Sequence, residues 1–312
     1  MLPTDNRIDA RDWLLLGFLS ILWGGSFFFN SAALRELPPL TLVLLRVALG
    51  AAFLLPLLRL YRISLPGDVA SWRPYVAMAF LNNVLPFSLI VTAQLFISSG
   101  LASILNATTP LFTVVVMAAA GGERLIARRA AGVVVGLIGV IILKGAGIEL
   151  LTGQGIGILL CLAAALSYGF AALVARRWLS KSPPLATATC QLLASSVMMT
   201  VLAFVFDRPW RLPMPDMTTW LAVLGSAGLS TALAYLVFFQ VLRRSGATNV
   251  TLVTLLLPVT AILLGYLVLG EPISVHEIAG ALVIASALLV IDGRVLRRRG
   301  VGSRLGVSPR GK

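Results

Sequence analysis

An arginine inside an apolar run is the residue whose presence most needs a chemical reason. Arg46 falls eight residues into the stretch 39–58, roughly 12 Å deep at about 1.5 Å per residue. A guanidinium at that depth costs about 2.5–3.5 kcal/mol on insertion scales. Its planar fork can offset that by holding a substrate carboxylate through paired hydrogen bonds in a central cavity. It can equally brace neighbouring helices by donating to carbonyls freed at kinks. The residue type is compatible with both.

Three prolines lie within apolar stretches beside polar side chains. Asn82 and Asn83 approach Pro86; Asn106, Thr108 and Thr109 adjoin Pro110; Asn249, Thr251 and Thr254 precede Pro258. Proline removes a backbone hydrogen bond and kinks a helix, and in lipid the freed groups need internal partners or a wet cavity. Either the Asn and Thr side chains serve the kinked backbone, or together they line a site; for the clusters taken jointly the second reading is adopted. Trp23 and Tyr168 are aromatic candidates for stacking on a substrate, although lone aromatics more often pack, and Tyr235 is a further lining candidate. Gln94, Gln191 and Gln240 are further lining candidates. Pro86, Pro110 and Pro258 are expected to act as gating kinks. Glu123 and Glu271 stand at the ends of two apolar runs, where a carboxylate favours the positive end of the next helix; a gating role is the alternative.

The remaining reactive residues exclude most other chemistry. An active site needs titratable or nucleophilic groups at hydrogen-bonding spacing. The one histidine, His276, falls at a span end, Cys161 and Cys190 sit in apolar runs with no base nearby, and all twelve acids fall in loops, tails or span ends. Neither an enzyme, a metal centre nor a bound cofactor is expected. With no acid placed to carry protons in mid-membrane, facilitated flux or exchange of a neutral or zwitterionic solute is expected rather than strict proton antiport.

The elements that must position these residues follow from composition. Of 312 residues 58% are hydrophobic and 12% charged, about half the charge of a soluble domain, and mean hydropathy is +0.96. An all-α integral membrane protein is therefore expected, with ten spans of about 20 residues each: 13–34, 39–58, 74–96, 100–120, 130–143, 155–175, 184–206, 218–241, 247–269 and 276–292. Ser31-Ala32-Ala33 resembles a cleavage site, but the preceding apolar core exceeds the about 7–15 residues of a signal peptide. The net charge of +13 does not point to nucleic acid, because the cations lie between apolar runs and not on an aromatic-laced face. With the N-terminus inside, twenty Lys and Arg fall on cytoplasmic segments and four outside, as the positive-inside rule requires. The tail bearing Arg297, Arg298 and Arg299 is expected to touch anionic lipid.

The chain also repeats itself. Pro38-Pro39-Leu40 recurs as Pro183-Pro184-Leu185, and the same offset of 145 carries Trp23-Gly24 onto Tyr168-Gly169 and Arg46 onto Gln191. Gln94 and Ser99-Gly100 recur as Gln240 and Ser245-Gly246; Pro110, Gly122-Glu123 and Ala131-Gly132 recur as Pro258, Gly270-Glu271 and Ala279-Gly280. Five spans per half force the halves into opposite orientations, giving a 5+5 inverted-topology repeat with its site at kinked helices near the midplane. Gly132, Gly136 and Gly139 allow close helix contact, within one chain or between two.

Leu22-Trp23-Gly24-Gly25-Ser26-Phe27, Leu45-Arg46 and the Gly-Glu steps at Glu123 and Glu271, followed by Gly132 and Gly280, resemble the drug/metabolite transporter superfamily in its ten-helix EamA-type branch. The resemblance covers about residues 12–294. It implies a five-helix half at 12–145, a second at 153–294 and a basic cytoplasmic tail at 295–312. It also implies an exporter of small amphipathic metabolites, amino acids or related compounds, or drugs, by alternating access in a bacterial inner membrane, with both termini cytoplasmic. A channel or a non-transporting interaction subunit is the alternative. The partners expected are a small-molecule substrate and lipid; monomer and homodimer remain equally open. Fold analogy by itself does not name a substrate.

Overall fold

Short-range chemistry starts most of the helices. Asp9, Asp68, Ser98 and Asp216 are N-caps whose side chains accept from Asp12 N, Ser71 N, Leu101 N and Thr219 N at 2.7–3.1 Å, satisfying donors that a helix start leaves unpaired. At Asp68 the hydroxyl and amide of Ser71 hold the carboxyl below its usual range. Two further helices begin with proline at the first position, Pro39 and Pro184, where the missing N–H costs nothing.

The computed structural model describes residues 9–121, 126–144, 153–245 and 252–292. All regular elements among them are helical. We name α1 Ala10–Ala33, α2 Pro39–Leu60, α3 Val69–Ala93, α4 Ser99–Ala119, α5 Ala127–Lys144, α6 Gly153–Trp178, α7 Pro184–Phe206, α8 Met217–Arg244, α9 Val253–Leu269 and α10 Val275–Asp292. Helices α1–α4 and α6–α8 are long and apolar enough to cross a membrane; α9 and α10 are shorter apolar helices. Helix α5 has 18 residues and carries Arg128, Arg129 and Lys144 at its ends. Outward-facing side chains such as Val197, Phe206, Ile141 and Leu282 are apolar, the reverse of a soluble surface and suited to lipid.

The packing has a regular pattern. Extensive contacts join α5 to α10, α2 to α7 and α4 to α9, and the remaining large contacts come in pairs. Exchanging the first five helices for the last five turns α1–α9 into α6–α4, α3–α6 into α8–α1, and α2–α8 into α7–α3, all of which are present. The partners α2 and α7 run antiparallel: Asp207, just past α7, accepts from Thr41 N at 2.7 Å and Thr41 Oγ1 at 3.0 Å in the first turn of α2. Antiparallel packing also holds for α5 and α10, where Gly132 faces Ile291 and Gly139 faces Gly280 and Ile284. The same is true of α4 and α9, where Gly100 meets Ile262 and Ser99 at the start of α4 bonds Glu271 just past the end of α9. The glycines at 132 and 139 therefore serve contacts within one chain.

Two helices are interrupted at equivalent depths. Helix α3 widens into π-type turns over Phe80–Val84, and α8 does so over Gly225–Leu233. An offset of 145 carries the first segment into the second. Such turns leave carbonyls without their usual partner. In α3 they are taken up from outside, by Ser167 Oγ donating to Leu81 O at 2.7 Å and Ser195 Oγ to Ala79 O at 3.4 Å. In α8, Thr231 Oγ1 donates to Ser226 O at 2.9 Å. Helix α9 is also wide over Gly265–Leu269.

Candidate functional site

The wide turns of α3, the middle of α7 and Tyr235 just past the wide turns of α8 gather a polar network inside the bundle. Asn82 Nδ2 donates to Gln191 Oε1 and to Tyr235 OH, both at 3.3 Å. Gln191 Nε2 donates to Tyr235 OH at 3.0 Å, and Tyr235 OH donates to Asn83 Oδ1 at 3.5 Å. Asn83 Nδ2 donates to Ser195 Oγ at 3.0 Å, and that hydroxyl also reaches Gln191 O at 2.6 Å. Asn83, Gln191 and Ser195 are buried. Low dielectric strengthens such a network and penalises any member left unpaired.

Arg46 adjoins this network and is 6% exposed. Its Nε donates to Thr231 Oγ1 at 3.0 Å, and the guanidinium carbon lies 4.1 Å from the centre of the Phe87 ring, a cation–π geometry. Among the described residues, the ionisable groups in electrostatic range are Tyr168 and Tyr235. Gly50 on α2 permits the approach of α8, since a Cβ there would lie 3.0 Å from Thr231 Cγ2. Trp23 on α1 packs against Phe238 with centroids 5.5 Å apart, and Phe238, Phe239 and Tyr235 continue as successive ring contacts. Arg46, Asn82, Asn83, Tyr168, Gln191 and Tyr235 are thus assembled in one region, and Trp23 is joined to it through rings.

Other candidates stand apart from that region. Gln94 is occupied at the far end of α3: its Nε2 donates to Phe27 O at 2.8 Å and Ser31 Oγ at 2.9 Å, and its Oε1 accepts from Asn30 at 3.1 Å. Thr109 Oγ1 donates to Asn106 O at 2.7 Å, the carbonyl that Pro110 deprives of a partner. Asn106 Oδ1 is buried without a partner among the described residues. Pro86 follows directly on the wide turns of α3, Pro258 lies within α9, and Thr254 lies on α9 one turn before it. Asn249 and Glu123 lie outside the described residues.

Glu271 caps a helix, though not the one that follows it. Its carboxylate accepts from Ser99 N at 3.0 and 3.1 Å and from Ser99 Oγ at 2.6 Å, at the start of α4. The following helix, α10, has its own start, with Ser274 Oγ accepting from His276 N and Glu277 accepting from Ser274 N. Sequence spacing pointed to the neighbour in the chain; the antiparallel packing of α9 on α4 brings a different helix start within reach. Beside this corner, between the α3–α4 and α9–α10 connections, opens a cleft of about 420 Å³ bordered by Phe96, Ser98, Gln154 and Glu277.

Thr231, Phe87 and Ser195 were not among the candidates read from the sequence. The available signal was the run Gly225-Ser226-Ala227-Gly228-Leu229-Ser230-Thr231, small and polar in mid-span and at the repeat position of Asn82-Asn83. Among the described residues no group of three His, Cys, Asp or Glu is placed to hold a metal ion.

Apolar helices arranged around a buried polar centre define a polytopic membrane protein. The chain belongs to the EamA-like transporter family, whose profile matches residues 12–144 and 155–292. It is 26% identical to "Uncharacterized transporter YoaV" of Bacillus subtilis, over 92% of this chain and 99% of that one. It is 29% identical to a "Probable amino-acid metabolite efflux pump" of Salmonella typhimurium, over 91% and 95%. An "Uncharacterized inner membrane transporter YedA" of Escherichia coli is 25% identical over 89% and 90%. A solved crystal structure at 22% identity superposes with a TM-score of 0.64 over 91% of this chain and 97% of that chain, a likeness of fold.

Proposed function

We propose that the chain is a secondary carrier that moves a small amphipathic metabolite, related to amino acids, or a drug outward by alternating access. The observation that carries this reading is the polar centre built from the wide turns of α3, from α7 and from Tyr235 directly after the wide turns of α8. Discontinuous helices at corresponding positions of two halves are the usual setting of a carrier's substrate site. The substrate class draws on the efflux pump of amino-acid metabolites among its relatives.

The proposal includes ten spans, halves at 12–145 and 153–294 in opposite orientation, a basic tail at 295–312, and both termini cytoplasmic. Three facts support it: the contact pattern survives exchange of the halves, equivalent helices pack antiparallel, and contacts between helix ends agree with the charge-derived sides. Arg244 at the end of α8 pairs with Asp9 and Asp12 at the start of α1, and Arg177 on α6 donates to Ala120 O past α4; those ends are assigned to the cytoplasm. The Thr41–Asp207 and Ser99–Glu271 contacts join ends assigned to the outside.

The test is counterflow in proteoliposomes with labelled leucine and a panel of amino-acid-related metabolites. A carrier gives saturable uptake that is stimulated by unlabelled solute on the opposite side. A channel gives flux linear in concentration without that stimulation, which would defeat the proposal.

A further inference from the structure

Resting on the carrier reading, we infer that Arg46 supplies the ligand-binding cation of the central site. Its terminal nitrogens take the carboxylate of an organic monoanion or zwitterion, and Thr231 and Phe87 are positioning residues that aim them. A bracing arginine spends its donors on backbone carbonyls, as Arg177 does on Ala120 O at 3.0 Å. Arg46 does not. Its one hydrogen bond among the described residues goes to a side-chain hydroxyl. Its terminal nitrogens donate to no described residue, yet they are absent from the sealed, unpartnered atoms, which include Ser226 Oγ and Ser230 Oγ on the same turns of α8. They keep free donors although the residue as a whole is only 6% exposed.

Charge gives the ligand its sign. Arg244 is neutralised by Asp9 and Asp12, whereas among the described residues the ionisable neighbours of Arg46 are two tyrosines, which ionise only near pH 10 in water. A buried guanidinium without a counter-ion is strongly disfavoured, so the site selects an anionic group and repels an amine. The planar fork suits a carboxylate, taken by two parallel bonds. The amide network of Asn82 and Gln191 with Tyr235 is uncharged, so it suits the rest of the molecule without demanding a second charge. A kinetic consequence follows. Closing the unloaded site desolvates a lone charge, while closing the loaded site desolvates a neutral pair, so the loaded carrier reorients faster and exchange outruns net flux.

The experiment uses three molecules of one carbon skeleton: leucine, 4-methylpentanoate lacking the ammonium, and 3-methylbutylamine lacking the carboxylate. Thermal unfolding of the full-length purified protein is followed at constant ionic strength with each. Leucine and 4-methylpentanoate are expected to raise the melting temperature, 3-methylbutylamine to leave it unchanged, and Arg46→Gln to abolish the protection. Arg46→Lys, which keeps charge and loses the fork, is expected to bind 4-methylpentanoate about tenfold more weakly, the ratio for one charge-assisted hydrogen bond. Thr231→Asp supplies an internal carboxylate that keeps an acceptor for Arg46 but loses the bond to Ser226 O, so it is expected to fold with a lowered melting temperature and to show no protection; it carries the comparison if Arg46→Gln does not fold. Protection by the amine, equal protection of wild type and Arg46→Gln, or no protection by either carboxylate would overturn the inference. Saturable flux without preference for carboxylates would leave the carrier reading standing and remove this one; carboxylate binding without flux would do the reverse.

Discussion

Thr231 does two things with one oxygen, accepting from Arg46 Nε and donating to Ser226 O inside the wide turns of α8. Thr231→Val keeps the shape and removes both bonds, leaving a charged donor buried, at a cost of about 1–3 kcal/mol. The expected result is a lower melting temperature together with weaker substrate binding, both restored by Thr231→Ser. At Gln94 the bonds run to Phe27, Ser31 and Asn30, so Gln94→Ala is expected to lower thermal stability and leave the KM for transport unchanged. A raised KM with normal stability would return Gln94 to the binding site. Both residues show what a sequence reveals at this scale. A polar side chain in an apolar run announces that it has a partner, but not which one: that of Arg46 lies 185 residues away and that of Gln94 is a neighbouring helix.

Close crossings depend on single missing side chains. A Cβ at Gly24 would come within 2.7 Å of Thr260 Cβ, where α1 crosses α9, and one at Gly169 within 3.2 Å of the Phe112 backbone, where α6 crosses α4. Thr260 and Phe112 are themselves related by the repeat offset of 148, so the two crossings are equivalent. Gly24→Ala is expected to cost about 1–3 kcal/mol by overpacking, against little for Gly17→Ala, which has nothing within 4 Å; thermal unfolding in detergent measures the difference. The Glu271 cap depends on Gly265, whose Cβ would fall 2.5 Å from the carboxylate. Glu271→Ala and Gly265→Ala are therefore both expected to loosen α4 from α9, each lowering stability by about 1.5–3 kcal/mol, and the double variant to cost little more than either alone. Additive losses would mean that the two residues do not share one contact.

For the whole molecule, orientation and coupling are the testable properties. A fluorescent protein fused after Lys312 is expected to mature in the cytoplasm, and one placed near Pro213 to stay dark; the opposite pattern would remove the proposed orientation. The carboxylates with described hydrogen bonds lie at helix ends, as Asp9, Asp12, Glu36, Asp68, Asp207, Asp216, Glu271 and Glu277 do. The central network holds amides, hydroxyls and one guanidinium. Reversing an imposed pH gradient at constant voltage is expected to change the initial flux little. Accumulation against a gradient, driven by pH and lost in Glu271→Gln, would show instead that an end carboxylate carries protons.

The sequence alone determined what one-dimensional physics controls. Apolar run length sets where helices can lie in a bilayer, and the observed bounds of α2, α7 and α10 fall within two residues of those expected from 39–58, 184–206 and 276–292. Ordered repeats of proline, glycine and glutamate made the two halves visible, and the cost of a buried cation singled out Arg46. Tertiary structure decided which groups meet. The wide turns of α8 contain no proline, so the proline pattern that marked α3, α4 and α9 did not announce them. Glu271 caps α4 because α9 and α4 are antiparallel neighbours, and Arg46 finds Thr231 because Gly50 lets α8 come close. Hydrogen bonds act over about 3 Å, whereas sequence fixes position along a helix and says little about its neighbour; partner choice is therefore settled only when the helices pack.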